Sequence, residues 1–126
     1  MNPLSEKMHC GTLGELLVQI RLFQHGVQAS PPIKDSGNDL IAIRGECFRA
    51  VQVKTRTTDP FVLGPLPARY HILALVHLIG EGENVRLDHS RVFLVPREVA
   101  ESRAIRSFGD VADFALGREL VEALFA

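Results

Sequence analysis

Asp39, Gln52 and Lys54 are the residues of this 126-residue chain whose types and spacing point most directly to chemistry. The sequence around them reads Asp39-Leu40-Ile41-Ala42-Ile43-Arg44, then Gly45-Glu46, then Cys47-Phe48-Arg49-Ala50-Val51-Gln52-Val53-Lys54. Gly45-Glu46 suits a two-residue II′ turn, which takes glycine at its first central position. That turn fixes a hairpin register in which Arg44 faces Cys47, Ile43 faces Phe48 and Asp39 faces Gln52. Directly opposed residues have Cβ atoms about 5 Å apart, and strand alternation sends Asp39, Gln52 and Lys54 to one side. A carboxylate, an amide oxygen and an ammonium group then meet at the open end of the hairpin. Mg²⁺ takes one or two carboxylates and completes its shell with water and phosphate oxygen. The main-chain carbonyl of Val53 lies at the edge where it would add another oxygen. A cation held there neutralises charge developing on a phosphodiester and lowers the pKa of water. Lys54 would orient the attacking water or stabilise the pentavalent state.

The remaining sequence supplies the elements that must position these groups. Ser5 caps a helix expected over Glu6 to His25, with Gly26 as its stop. Leu13, Leu16, Leu17, Ile20 and Phe23 recur at helical spacing and are expected to form its buried stripe. An extended piece follows near Val27 to Ala29, ended by Ser30-Pro31-Pro32, and residues 34–38 are turn chemistry. The hairpin strands carry apolar residues on both faces: Ile41, Ile43, Phe48 and Ala50 on the Asp39 side, Leu40, Ala42, Val51 and Val53 on the other. Such strands belong in the middle of a layered α/β structure, with a central mixed sheet flanked by helices. Pro60, Gly64, Pro65 and Pro67 make Thr55 to Arg69 mostly loop. Tyr70 to Leu78 reads as a doubly covered strand, with further strand at Val85 to Leu87 and Arg91 to Val95. Short helices are expected from Pro96-Arg97-Glu98 to Ser102 and over Gly117 to Phe125, with a helical turn over Asp110 to Phe114.

This order (helix with a glutamate, Asp-Leu-Ile-Ala, turn, Val-Gln-Val-Lys, further strands) resembles the PD-(D/E)xK nuclease superfamily, which has the restriction-endonuclease-like fold and includes Holliday junction resolvases. The matched stretch runs from about Gly11 to Thr55. The resemblance implies that Asp39 is the first-motif acid, that Gln52-Val53-Lys54 is the (D/E)xK element in a QxK variant, and that Glu15 is the helical acid. Thr55-Arg56 has the place of the Ser/Thr-Arg sequel of resolvase-like members. On this reading Asp39, Gln52, Glu15 and the Val53 carbonyl hold Mg²⁺, or Mn²⁺ in its place, and Asp39, Gln52, Lys54 and Glu15 form the catalytic group. Gly11 and Gly14 would let the helix come close enough for Glu15 to reach the metal. Thr55, Arg56, Lys34 and Arg69 are the candidates for contact with nucleic acid, with Arg44 and Arg49 behind them, and Asp35 is a secondary candidate for a second ion or a water. A homodimer cutting the two strands of DNA is the assembly implied. The proline-rich stretch stands where many relatives have a helix, leaving sheet surface for a loop or another subunit to cover.

Size and composition fit one domain over residues 1–126. A formal net charge of −1 argues against coating nucleic acid by bulk charge. Cys10 and Cys47 have no metal-ligand spacing and read as free thiols of a cytoplasmic protein with no secretory leader. The five histidines lack zinc-ligand spacing, and a Gly-rich phosphate loop or nucleophile elbow is missing. Two functions follow as expectations: a metal-dependent endonuclease acting on structured or branched DNA, or an inactive nuclease-fold module that binds nucleic acid or protein. The neutral Gln52, a weaker ligand than an acid, motivates the second.

Overall fold

The computed structural model describes residues 5–33 and 37–126. Lys34 and Asp35 lie outside the described residues. Helix α1 (Glu6–Gln24) precedes strands β1 (Gln28–Ser30), β2 (Leu40–Arg44), β3 (Cys47–Arg56), β4 (Ile72–His77) and β5 (Arg91–Pro96). Helices α2 (Arg97–Ser102) and α3 (Arg118–Leu124) follow, separated by a 3₁₀ segment at Phe108–Phe114. The five strands form one sheet in chain order. β3 and β4 pair in parallel and the other neighbours are antiparallel, so the sheet is mixed.

The hairpin forms in the expected register, with Arg44 opposite Cys47, Ile43 opposite Phe48 and Leu40 opposite Val51. Gly45 has φ +60° and no non-glycine residue has positive φ among the described residues, as a II′ turn with glycine first requires. Two apolar layers cover the sheet. On one face Leu17, Val18 and Leu22 of α1 and Val121 of α3, with Phe125 just beyond it, pack on Leu40, Ala42, Val51, Val53, Ala74 and Leu94. On the other, Ala100, Ile105, Phe108 and Val111 pack on Leu73, Leu75, Phe93 and Val95. Each fully buried aliphatic side chain contributes about 1.5–3 kcal/mol.

Several expectations are corrected by this packing. Of the α1 stripe, Leu17 is buried but Leu16, Ile20 and Phe23 are 49, 51 and 70% exposed; the buried face is Gly14, Leu17, Val18 and Leu22. α1 is apolar over most of its circumference, so spacing alone does not choose its rotation. Tertiary contacts do: Arg21 donates to the Leu87 and Ser90 carbonyls, and Gly14 faces Thr55. Double coverage holds for β4 and β5, but not for the hairpin, where Phe48 is 60% and Ile43 36% exposed. The layer carrying α2 reaches only the β4–β5 half of the sheet. Val85 to Leu87 is not a strand. The chain turns there instead, because Ser90 Oγ accepts from Ile79 N and donates to the Arg86 carbonyl.

The loop after β3 does cover sheet: Phe61, Leu63 and Leu66 pack against the second layer. Arg56 holds it, its guanidinium donating to the Val62, Leu63 and Thr55 carbonyls at 3.0, 2.7 and 2.8 Å. Among the described residues no helix is long and apolar enough to cross a membrane.

Candidate functional site

β3 outruns both of its neighbours. β2 pairs with its first half, ending at Leu40 opposite Val51, whereas β4 pairs only from Val51 onward. From Gln52 to Arg56, the side of β3 that faced β2 is therefore open. Asp39, just before β2, closes the gap with its side chain. Its Oδ2 accepts from Gln52 Nε2 and from the Val53 N–H, both at 2.9 Å. The carboxylate replaces the carbonyl that a longer β2 would have offered. Because N–H and C=O of one strand residue point the same way, the Val53 carbonyl also faces the open side.

The Asp39 contact fixes the orientation of Gln52. An ionised carboxylate only accepts, so the amide nitrogen is the atom turned to it and Oε1 is turned away. Gln52 Oε1 is buried and has no partner, as do Asn38 Oδ1 and Thr55 Oγ1. A buried acceptor left unsatisfied costs about 1–3 kcal/mol, so such an oxygen is where a water or a cation belongs.

Glu15 reaches this region from α1, which packs on the opposite face of the sheet, the face of Val51 and Val53. Burial, and then the negative charge of Asp39, push the Glu15 carboxyl above its ordinary pKa. Asp39 is thus close enough to oppose the ionisation of Glu15, an effect that a divalent cation between the two would reverse. Gly14 makes the approach possible: a Cβ there would collide with Thr55 Oγ1 and lie 2.9 Å from Thr55 Cβ. Gly11, also expected to be needed, has open space where its Cβ would be.

Glu15, Val53, Lys54 and Thr55 line one cleft of about 580 Å³, with Lys7 and Cys10 at its wall. Asp39 and Gln52 are not among its lining residues; they pair beside it, at the start of β2 and on β3. Among the described residues Lys54 has no salt-bridge partner, so its ammonium is available to an incoming anion. Lys7 carries one signal in the sequence, its spacing of four from Gly11 and of eight from Glu15, which puts the three on one helical face. Burial and the Glu6 carboxylate hold the Cys10 thiol above its ordinary pKa; it is not an activated nucleophile. Both cysteines are free.

The other candidates separate. Thr55 contacts α1, and Arg56 is engaged by loop carbonyls, with burial lowering its pKa. Arg69 belongs to a different cleft, shared with Arg49, His71 and Arg97. Arg44 donates to the Phe125 carbonyl at the end of α3, a favourable place for a cation.

By type, the donors suit a hard cation. Two carboxylates, an amide oxygen without a partner and a main-chain carbonyl are the oxygen ligands Mg²⁺ accepts. Among the described residues no three His, Cys, Asp or Glu side chains form a metal-holding group. No model of a known protein family matches the chain, and no curated protein matches it.

Proposed function

We propose that this chain is a metal-dependent endonuclease of restriction-endonuclease-like fold, hydrolysing DNA phosphodiester bonds and acting on structured or branched DNA. The observation that carries the reading is the Asp39 carboxylate bridging Gln52 Nε2 and the Val53 N–H, one residue before Lys54 and within the electrostatic reach of Glu15. Asp39, Glu15, Gln52 Oε1 and the Val53 carbonyl would hold Mg²⁺ or Mn²⁺. When bound, the cation supplies charge neutralisation and acidifies water. Lys54 binds a nonbridging phosphate oxygen and stabilises the charge that grows on it as the water attacks. Gly14 and Thr55 set the depth of α1 and with it the reach of Glu15. The reading includes a cytoplasmic homodimer, for which the uncovered hairpin face around Ile43 and Phe48 is the available surface; a monomeric mass by light scattering at high concentration removes that part. The test is cleavage of plasmid, linear and four-way-junction DNA with Mg²⁺ or Mn²⁺. Equal behaviour of wild type and Lys54→Ala on every substrate refutes the enzyme.

One observation favours the second reading, a catalytically inactive module that binds nucleic acid or protein. Asp39 already satisfies two donors, and its partner in the motif is a neutral amide rather than an acid. Metal titration separates the two readings. The enzyme binds Mn²⁺ in a manner lost in Asp39→Ala; the module does not bind it at all.

A further inference from the structure

At the opposite end of β3 the geometry points to a second site, one for a phosphate group, in the cleft between the start of β3, the start of β4 and α2. This inference does not rest on the hydrolytic reading. β4 begins opposite Val51, so Cys47 to Arg49 have no strand partner on that side, and Ala50 meets only His71, whose main-chain N–H donates to the Ala50 carbonyl at 2.9 Å. The resulting cleft, about 690 Å³, is lined by Arg49, Arg69 and Arg97, by Tyr70 and His71, and by one carboxylate, Glu98. Two of its arginines are held rather than free. Arg49 donates from Nε to the Leu124 carbonyl and from Nη1 to the Phe48 carbonyl, at 3.1 and 3.0 Å. Arg97 donates from Nε to Glu101 at 3.0 Å and lies over the Tyr70 ring, 5.4 Å from its centroid. Each retains N–H groups beyond those bonds, on a guanidinium whose position is already fixed. Arg69 is exposed and has no salt-bridge partner among the described residues. Even counting Glu101 with Glu98, the three arginines leave an excess of positive charge.

Two neutral groups add to the wall. His71 Nδ1 accepts the Ala50 N–H at 2.8 Å, which places the imidazole proton on Nε2 as a further donor. The Tyr70 hydroxyl is buried and has no hydrogen-bond partner. Forked donors arriving from several elements suit a tetrahedral group with three acceptor oxygens better than a planar carboxylate with two. A phosphate of a nucleic-acid strand and that of a free nucleotide share this chemistry.

Binding measured in EDTA isolates this cleft from any metal-dependent contact. The probes are inorganic phosphate, AMP and a short fluorescein-labelled single-stranded oligonucleotide, titrated against wild type, Arg69→Ala/Arg97→Ala, the single exposed variant Arg69→Glu, and Arg86→Ala, which removes an exposed arginine outside both clefts. The site requires that at least one probe bind wild type and bind both cleft-arginine variants at least about tenfold more weakly, with Arg86→Ala unchanged. Binding of phosphate and AMP assigns a nucleotide, and binding of the oligonucleotide alone assigns a strand. The proposal is overturned if no probe binds, if the cleft-arginine variants bind as wild type does, or if Arg86→Ala weakens binding as much as they do. DNA cleavage lost in Lys54→Ala stands or falls independently of these outcomes.

Discussion

The two ends of β3 face the same structural problem and solve it with opposite chemistry. At each end a neighbouring strand stops short and exposes an N–H, and at each end a side chain takes the missing carbonyl's place. Asp39 Oδ2 accepts from Val53, and His71 Nδ1 accepts from Ala50. The carboxylate brings negative charge to its end, where it adds to the burial that raises the Glu15 pKa, and on the proposed reading a cation answers that charge. The imidazole brings none, and arginines gather around it with their charge uncancelled. Even the arginine of the acidic end, Arg56, is turned into the loop and away from ligand chemistry. An offset between neighbouring strands thus creates two clefts, and the identity of the substituting acceptor decides what each can hold.

The sharpest way to break this comparison is at Lys54. Lys54→Ala removes the lysine of the acidic cleft's strand wall and should lower DNA cleavage by at least about 100-fold, the scale seen when one donor to a transition-state oxyanion is lost. Because Lys54 has no salt-bridge partner among the described residues, the melting temperature should stay within a few degrees of wild type. Gly14→Ala comes next. The new methyl meets Thr55, and overpacking of this kind costs about 1–3 kcal/mol, read as a lower urea midpoint. Cleavage should fall with it, because α1 carries Glu15 away from β3.

The strand-capping acceptors differ in a way that stability measurements can expose. Asp39→Ala leaves Gln52 Nε2 and the Val53 N–H without an acceptor in a half-buried place, a loss of about 1–3 kcal/mol. Asp39→Asn keeps an accepting oxygen, so it should recover most of that stability while abolishing Mn²⁺ binding. His71 is exposed, and water can reach the Ala50 N–H once the ring is gone. His71→Ala should therefore cost less than about 1 kcal/mol. Equal losses for Asp39→Ala and His71→Ala would mean that the two ends do not differ as described.

The acidic end was legible in the sequence because its signals are discrete. Gly45 admits the II′ turn, the turn fixes one register, and strand alternation carries that register to Asp39 and Gln52. The mixed sheet and the helix preceding it follow from the same punctuation. The rotation of α1 was not legible, because Leu13, Leu16, Leu17, Val18, Ile20, Leu22 and Phe23 spread around the helix and Arg21 and Gly14 decide which face turns inward. The arginine end was hidden for a different reason. Arg49, Arg69 and Arg97 lie on three separate segments and meet only because β4 starts late beside β3. His71 gave no sign of capping a strand, since a histidine beside an apolar run carries no local mark of its hydrogen-bond partner.

The smallest effect tests the acid pair itself. Glu15 titrates above its ordinary value in the folded protein, chiefly by burial and secondly through Asp39. In the interval from its unfolded pKa up to that raised value, the folded chain binds more protons than the unfolded one. The unfolding free energy must then decline as pH rises through that interval, with no further loss from this group above it. In EDTA, wild type should show this decline just above the ordinary glutamate range, and Glu15→Gln should be flatter there by a modest amount, since Glu15 is only half-buried. Mn²⁺ inverts the sign of the local field, so it should raise wild-type stability most at pH values where Glu15 is ionised. A Mn²⁺ response in Glu15→Gln equal to that of wild type would show that Glu15 stands outside the cation's coordination sphere, and would leave Asp39 as the site's one effective carboxylate.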